Sequence, residues 1–316
     1  MNWDSFNFID LFAGIGGIRL GFESAGGHCV FSSEFDEAAC KTYEANFGEY
    51  PSGDITKIDA KDIPDFDILV GGFPCQAFSI IGKQEGFDNE TCGTLFFDIE
   101  RILKEKMPKA FMLENVRNLT AHDNGKTFRI IRTHLEALGY SVYAKVLNAL
   151  DYGVPQKRER IIIVGFKDNV LFQFPDPIPS TQRKTLEDIL ETDVDEKYYV
   201  RQNIRESRLM RLKDPNYPKP YISHENMAGS ITPHPYSSCL RAGASANYIL
   251  INDERRPTER EMLRLQGFPD DFKVVVPYGQ IRHQCGNSVA VPVIEAVAKQ
   301  MIFALKLHEE NIKASA

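Results

Sequence analysis

Short apolar runs alternate with amphipathic stretches over the first half of the chain. Helical periodicity is clear from Leu95 to Met107 and from Phe128 to Leu138. Strands are predicted near residues 8–12, 28–34, 67–71, 109–114, 141–149 and 160–166. This alternation predicts an α/β fold with a doubly wound, mostly parallel sheet. The last two strands are joined by about ten residues, too few for a helical crossover, so they are predicted to be antiparallel.

The character of the sequence changes after Phe166. Prolines cluster between positions 175 and 235, and apolar runs there are short and irregular. Helical periodicity returns from Pro257 to Leu265, and a last helix is predicted from about Ser288 to Leu307. We therefore predict two domains, a large one of residues 1–169 plus 256–316 and a second, smaller one of residues 170–255.

Composition and charge narrow the class of protein. A chain with 43% hydrophobic and 26% charged residues is typical of a soluble globular protein. The start lacks a signal-peptide pattern, and no apolar run approaches about 18 residues, so a cytoplasmic location and no membrane partner are expected. The six cysteines form no C-x-x-C pair, so neither a disulfide framework nor a metal site is expected. A net charge of −7 means that any nucleic-acid partner requires a local basic surface.

Three of the predicted strands end in residues that carry chemistry. The first leads into a glycine turn at 13–17, the third into Pro74-Cys75, and the fourth into Glu114-Asn115. In open α/β sheets the carboxyl ends of the strands form the ligand site, so a cofactor loop, a thiol and a carboxyl acid are expected together. A lone cysteine is more often a small hydrophobe. Here the proline and the flanking glycine and polar residues indicate a loop, which favours a functional thiol.

The glycine turn predicts an adenosine-containing cofactor. Gly14, Gly16 and Gly17 permit a tight turn and close approach of a ligand. Glu34 ends the next strand twenty residues after Gly14, the spacing of an acid that binds ribose hydroxyls. The turn has neither the G-x-G-x-x-G spacing nor a phosphate-binding lysine. S-adenosylmethionine therefore fits better than NAD or ATP.

Three further side chains are candidates for the adenine site. Asp54 follows the second helix and is predicted to accept a hydrogen bond from the adenine amino group. Phe12 and Phe35 are predicted to stack on the ring, and core packing is the alternative for both.

The thiol, the acid and two arginines predict a methyl transfer to cytosine. Arg158 and Arg160 precede an apolar strand, either as part of a solvated charge run or as guanidiniums directed into the site. Addition of a thiolate to C6 of cytosine, helped by a proton donor at N3, makes C5 reactive enough to accept a methyl group. Loss of the C5 proton and of the thiol then restores the ring.

Five motifs occur in a specific order: FIDLFAG at 8–14, GFPCQ at 72–76, ENV at 114–116, QKRER at 156–160 and QCGNS at 284–288. This set resembles the DNA cytosine-5 methyltransferases, in particular the bacterial restriction–modification type. The resemblance covers residues 8–166 and 256–301. It implies transfer of a methyl group from S-adenosylmethionine to C5 of a flipped-out cytosine in a short duplex DNA sequence, through a covalent cysteine–C6 adduct.

The resemblance also implies roles for individual residues. It makes Cys75 the nucleophile and Glu114 the group that holds and protonates N3. It places Arg160 at the cytosine O2, with Arg158 nearby and Asn287 bracing the site. The cofactor residues that it implies are Phe12, Ala13, Gly14, Gly16, Gly17, Glu34, Phe35, Asp54, Ile55, Pro74, Asn115, Asn287 and Ser288. Residues from about 76 to 94 resemble the mobile lid of the family, with Gln76, Ser79, Ile81, Lys83 and Gln84 as DNA contacts.

Residues 170–255 correspond to the target-recognition domain of the family. Positions 197–219 hold seven lysines or arginines, of which Arg201, Arg205 and Arg208 have helical spacing. A solvated helix face and a phosphate-contacting stripe both explain this pattern. Ser237 and Arg241 are predicted to reach bases or phosphates.

Two alternatives to a DNA methyltransferase stay open. A tRNA cytosine-5 methyltransferase uses the same chemistry, although the long basic segment favours double-stranded DNA. A catalytically inactive DNA-binding scaffold predicts loss of Cys75 or Glu114, and both are present. The expected partners are double-stranded DNA and a restriction endonuclease that acts on the same site without direct contact, and the chain is expected to be a monomer.

Overall fold

The computed structural model describes residues 3–74 and 95–315, which form two compact units. The strands are β1 Phe6–Leu11, β2 Gly27–Ser33, β3 Ile68–Gly72, β4 Ala110–Val116, β5 Ser141–Asn148, β6 Gln156–Lys157, β7 Glu159–Phe166, β8 Ile222–Glu225, β9 Ile231–His234, β10 Ser237–Ser238 and β11 Ile249–Ile251. The helices are α1 Gly17–Glu23, α2 Glu37–Phe47, α3 Leu95–Lys106, α4 Lys126–Ala137, α5 Gln202–Arg211, α6 Glu259–Leu265, α7 Tyr278–Asn287 and α8 Val291–Ser315.

The first unit contains a six-stranded sheet in the order β2-β1-β3-β4-β7-β5. β1 is parallel to β2 and β3, and β3 is parallel to β4. β7 lies between β4 and β5 and is antiparallel to β4. The predicted α/β class with a mostly parallel sheet is confirmed.

Alternation along the strands builds the core of this unit on both faces of the sheet. Ile9 and Leu11 of β1 pack in a cluster with Ile99 of α3 and Ile131 of α4. Phe8, which precedes Ile9, faces the opposite side, where its ring centroid lies 5.6 Å from that of Phe22 in α1. A parallel sheet that is buried on both faces requires such nearly continuous apolar strands.

The last helix joins this core at α1. A Cβ built on Gly21 of α1 would lie 2.6 Å from the side chain of Ile294, so the glycine allows the two helices to approach closely. The segment Tyr278–Ala314 is long and apolar enough to cross a membrane by composition, but 61% of its most apolar window is buried. Burial of this extent is what the core helix of a globular domain shows.

The second unit contains a three-stranded antiparallel sheet in the order β11-β8-β9 and the short parallel pair β6-β10. α6 begins at Thr258, whose hydroxyl accepts from the N–H of Glu261 while the Glu261 carboxylate accepts from the N–H of Thr258. This capping box explains why the helix starts there.

The two compact units have other boundaries than the predicted domains. The first consists of residues 1–147, 159–175 and 294–316, and the second of residues 148–158 and 176–293. Residues 256–293, expected in the large domain, thus group with the smaller unit. The prolines and short apolar runs indicate where irregular structure begins. They contain no signal for which unit includes the helices α6 and α7.

Candidate active site

The carboxyl ends of β1, β3 and β4 lie side by side at one edge of the sheet. Leu11 of β1 is opposite Gly71 of β3, and Gly72 is opposite Glu114 of β4. β2 and β3 flank β1 on opposite sides, so the order of strands reverses at β1. Ligands of open α/β sheets bind in the crevice at such a point. The glycine turn after β1 and the polar end of β4 therefore border one candidate ligand site.

The carboxylate of Glu34 is fixed beside the glycine turn by three backbone N–H groups. Oε2 accepts from the N–H of Gly14 at 2.8 Å. Oε1 accepts from the N–H groups of Phe35 and Asp36, each at 2.8 Å. A carboxylate has about four acceptor positions, so one remains for a ligand hydroxyl. A fixed negative charge suits ribose hydroxyls and disfavours a phosphate at the same place.

The turn itself uses left-handed backbone. The φ angles are +55° at Gly14, +81° at Gly16 and +58° at Phe12. Phenylalanine rarely adopts such a φ, and strain of this kind concentrates in ligand loops. A Cβ on Gly16 would lie 2.2 Å from the Phe47 ring, whereas one on Gly14 would have no heavy atom within 4 Å. Gly16 is thus needed for packing, and Gly14 leaves open space beside the turn.

The other predicted cofactor residues of this unit differ in exposure. The Phe35 ring is 74% exposed, so a face is free for stacking on a base. Asp54 Oδ1 accepts from the N–H of Thr56 at 3.1 Å and from its hydroxyl at 2.8 Å. These hydrogen bonds hold the Asp54 pKa below its usual value, which keeps an acceptor available for an adenine amino group. Ile55 is buried in the core. Two carboxylate acceptors and an exposed aromatic ring fit an adenosine cofactor without phosphates.

Glu114 and Arg160 form the polar pair at the end of β4. Arg160 Nε lies 2.9 Å from Glu114 Oε1, and both side chains are less than one-fifth exposed. Val116 of β4 is opposite Arg160 of β7, so the antiparallel register brings the arginine to this end of the sheet. A Cβ on Gly72 would lie 3.2 Å from Glu114 Oε2, so glycine gives the carboxyl its room. Glu114 and Arg160, which are both predicted to contact the cytosine, thus lie side by side in the structure.

Asn115 connects β4 to the chain that leads to the predicted nucleophile. Its Nδ2 donates to the carbonyl of Phe73 at 2.9 Å, and its Oδ1 accepts from the N–H of Val116. The side chain is buried, so this hydrogen bond is shielded from water. Asn115 thereby fixes the backbone just before Pro74. Cys75 and the predicted lid contacts Gln76, Ser79, Ile81, Lys83 and Gln84 lie outside the described residues.

Arg158 binds backbone carbonyls of its own unit. It is 3% exposed, and Nη1 donates to the carbonyl of Leu240 at 3.1 Å. Nη2 donates to the carbonyls of Gly286, at 3.2 Å, and Ser288. These bonds hold the Arg158 guanidinium in place, and its predicted role near the cytosine stays a prediction. No sequence signal indicates these bonds, because the acceptors lie 82 to 130 residues further along the chain.

Of the two predicted site residues at the end of α7, Ser288 belongs to the same polar network. Ser288 is buried, and its carbonyl also accepts from Gln266 Nε2 at 3.4 Å. Asn287 is exposed, and its role in bracing the site stays a prediction. A Cβ on Gly286 would lie 2.2 Å from the backbone nitrogen of Ala242, so the QCGNS motif needs its glycine for close packing.

The two predicted DNA contacts of the second unit have opposite surroundings. Ser237 is 0% exposed, and its hydroxyl donates to the carbonyl of Ser238. This hydroxyl is bound within the protein, and its predicted contact with DNA stays a prediction. Arg241 is exposed, with its guanidinium 4.8 Å from the centre of the Tyr248 ring. It stays a candidate.

The basic helix α5 is not a uniform phosphate-contacting stripe. Arg208 is 1% exposed and binds Asp253 at 2.9 Å and the Ser223 hydroxyl at 2.7 Å. Arg205 is partly exposed and pairs with Glu254 at 2.8 Å. The helical spacing of the arginines therefore reflects, at Arg208, burial in an ion-pair network. Among residues 3–74 and 95–315, no cluster of His, Cys, Asp or Glu has a metal-binding arrangement.

β1 carries a buried carboxyl, that of Asp10, shortly before the cofactor loop, and the sequence motifs assign it no role. Asp10 of β1 is 0% exposed, and neither of its oxygens has a hydrogen-bond partner of good geometry in the part of the chain that is described. Burial raises its pKa from 3.8 to about 8, and the nearby Arg19 offsets this only in part. Its place within an apolar strand indicates burial, but the sequence contains no signal that the carboxyl lacks hydrogen-bond partners among the described residues.

Asp10 should make the protein less stable as the pH rises. Between pH 4 and about pH 8 the folded state keeps a proton that the unfolded chain has lost, so the free energy of unfolding falls by up to about 1.4 kcal/mol per pH unit. The Asp10→Asn variant lacks this loss. Urea unfolding from pH 5 to 9 should show its advantage over the parent chain widening with pH. Asp65→Asn, at a fully exposed carboxylate, is the control, and parallel pH curves for all three proteins would contradict the prediction.

The fold defines a class first. A solved structure of a prophage-encoded DNA modification methyltransferase from E. coli aligns with 96% of this chain and 100% of its own at a TM-score of 0.73 and 22% identity. A DNMT2 mutant from Spodoptera frugiperda aligns with 95% of this chain and 100% of its own at a TM-score of 0.72 and 22% identity. At these identities the comparison shows only that this chain has the same fold as these two proteins.

The sequence then gives the family. Residues 6–303 match the C-5 cytosine-specific DNA methylase family. The type II methyltransferase M.NgoBI of Neisseria gonorrhoeae is 59% identical over 92% of this chain and 91% of its own, and M.HaeII of Haemophilus aegyptius is 56% identical over 96% and 95%. M.HhaI of Haemophilus parahaemolyticus, whose motifs the sequence also resembles, is 42% identical over 92% of both chains. The chain belongs to the C-5 cytosine-specific DNA methylases, which confirms the predicted family and enzyme class.

Proposed function

We propose that this chain is the modification enzyme of a type II restriction–modification system. It transfers a methyl group to C5 of a flipped-out cytosine within one short sequence of double-stranded DNA. The observation that carries this proposal is the Glu114–Arg160 pair, which stands at the same sheet edge as the turn held by Glu34. The names of the relatives M.NgoBI and M.HaeII support the type II assignment.

The proposed cofactor is S-adenosylmethionine, which would supply the methyl group and would be left as S-adenosylhomocysteine. Glu34 would accept from a ribose hydroxyl, Phe35 would stack on adenine, and Asp54 would accept from the adenine amino group. Phe12, Ala13, Gly14, Ile55, Pro74 and Asn115 would shape the rest of the site. The open space at Gly14 and the free face of Phe35 support this assignment.

The proposed chemistry begins at Cys75. Its thiolate adds to C6 of cytosine, a sulfur–carbon bond forms, and the electrons of the C5–C6 double bond become available at C5. Glu114 gives a proton to N3, which stabilises the charge that develops on the ring. Arg160 holds the Glu114 carboxyl in place and contacts the cytosine O2. After C5 has accepted the methyl group, its proton leaves to a base, the C6–sulfur bond breaks and regenerates the thiolate, and N3 returns its proton to Glu114.

We further propose that the enzyme acts as a monomer on DNA in the bacterial cytoplasm. A restriction endonuclease of the same system would act on the same site without contacting this chain. The type II names of the relatives support such a companion.

Bisulfite sequencing tests the proposed function. The chain is expressed in cells that have no other cytosine-5 methylation, with Cys75→Ser as the matched control, and plasmid, host DNA and tRNA are sequenced. Protected cytosines confined to one short DNA motif, and absent in the control, are expected. Methylation of tRNA alone would replace DNA by tRNA as the substrate. A folded protein that binds S-adenosylmethionine and methylates neither would support the scaffold interpretation.

A further inference from the structure

One face of the three-stranded sheet in the second unit carries polar groups that the methyl transfer does not use. Ser223 and Glu225 of β8 bind Arg208, so α5 covers their side of the sheet. Because side chains alternate along a strand, His224 faces the opposite side. The antiparallel register places Thr232 of β9 directly opposite His224. We call the surface of His224, Thr232 and His234 the histidine face.

The second histidine of this face is held by an aromatic stack. His234 is opposite Ile222 of β8, which puts it on the same side as His224 and Thr232. Its ring lies parallel to that of Tyr236, with an interplanar angle of 10° and centroids 5.0 Å apart. All three polar residues of the face are partly exposed. The stack on Tyr236 orients the His234 ring, and the ring stays partly accessible to solvent.

The surroundings of both histidines favour the neutral form of the ring. Burial lowers the pKa of His224, helped by Arg241, His234 and Arg208 and opposed by Glu225. Burial also lowers the pKa of His234, helped by Lys157. A neutral imidazole presents one N–H donor and one nitrogen acceptor. The histidine face thus offers directed hydrogen-bonding groups rather than diffuse positive charge.

Cations stand beside this face. Lys157 is exposed, and the parallel pairing of β6 with β10 sets it opposite Ser238. Arg241 is held over Tyr248, whose ring meets His224 edge-on with centroids 6.2 Å apart. The one acidic side chain of these strands, Glu225, points to the other face and pairs with Arg208 and Arg211. In a chain with a net charge of −7, this is a local positive rim around a neutral, polar centre.

We propose that the histidine face reads base edges in the major groove of DNA, while Lys157 and Arg241 hold the phosphates. β9 is an edge strand of the three-stranded sheet, and sheet strands are among the elements that read bases in the major groove. Base contacts carry sequence information, whereas phosphate contacts carry affinity. The inference rests on the proposed function, because it names the residues by which the same enzyme selects its DNA.

The test compares discrimination with affinity. Methylation rates are measured with the full chain on a duplex that contains the motif found by bisulfite sequencing and on duplexes with single base-pair changes. In His234→Ala, the ratio of kcat/KM between the motif and at least one changed duplex should fall by about tenfold or more. His234→Gln, which keeps a donor and an acceptor, covers the case that the alanine variant is unstable. His224→Ala should relax selection at a neighbouring base pair.

The Lys157→Ala variant is expected to lose affinity for DNA and to keep its discrimination between duplexes. It should lower kcat/KM on every duplex by a similar factor, and it should reduce the slope of log binding constant against log salt by about one. His28→Ala, at an exposed histidine of β2 in the other unit, should change neither quantity. Unchanged discrimination in folded His224 and His234 variants of an active enzyme would overturn this inference alone. A parent chain that methylates no DNA would overturn the proposed function, and this inference with it.

Discussion

Replacement of Glu114 by glutamine is expected to lower kcat for cytosine methylation by about 100- to 10,000-fold. Glutamine keeps the shape of the side chain and can still donate a hydrogen bond to a base, but it cannot transfer a proton to N3. It also removes the charge that pairs with Arg160 at 2.9 Å. Because the loss concerns the transition state, kcat should fall much more than binding of S-adenosylmethionine.

Single-turnover methylation of duplex DNA, together with calorimetric binding of the cofactor, measures both effects. Glu136→Gln is the matched control, because Glu136 lies on α4 in an exposed pair with Arg132 at 2.7 Å. Such surface pairs contribute about 0–1 kcal/mol to stability, so this variant should keep its full rate. A Glu114→Gln enzyme within tenfold of the parent rate would exclude Glu114 as the proton donor.

The sheet could be predicted from the sequence because its signals are local. The runs at 67–71 and 109–114 differ from the observed strands Ile68–Gly72 and Ala110–Val116 by one or two residues at each end. The ends of these apolar runs, together with the glycine turn, indicate which edge carries the site. A strand that must be buried on both faces leaves little choice of residue, so its pattern is clear.

The role of a charged side chain depends on distant partners, and these were not predictable. The motif QKRER does not indicate whether Arg158 contacts cytosine or backbone carbonyls. The carbonyls of Leu240 and Ser288 come close to Arg158 only in the folded chain. Likewise, a serine in a loop-like segment looks available for DNA, yet the pairing of Ser237 with Gln156 buries it. Local patterns determine helices and strands, whereas burial of a polar residue is decided by contacts across the chain.

Arg208 is the clearest case, and its replacement by alanine is expected to destabilise the second unit by about 3–5 kcal/mol. Its guanidinium binds Asp253, Glu225, the Ser223 hydroxyl and the Asn247 carbonyl. Asp253 is itself fully buried, so truncation of the arginine leaves a carboxylate without its counter-charge. Removal of one partner of a buried pair costs far more than the pair contributes, because the remaining charge stays desolvated.

Arg205, one turn earlier on α5, provides the matched control for the Arg208→Ala variant. It is partly exposed and pairs with Glu254, so Arg205→Ala should cost about 0–1 kcal/mol. Urea unfolding measures the stability of both variants, and the salt dependence of DNA binding measures phosphate contact. If α5 contacts DNA, the salt slope falls in the Arg205 variant and stability falls in the Arg208 variant. An Arg208→Ala protein as stable as its parent, with a reduced salt slope, would instead mean that α5 rearranges on DNA and exposes the buried arginine.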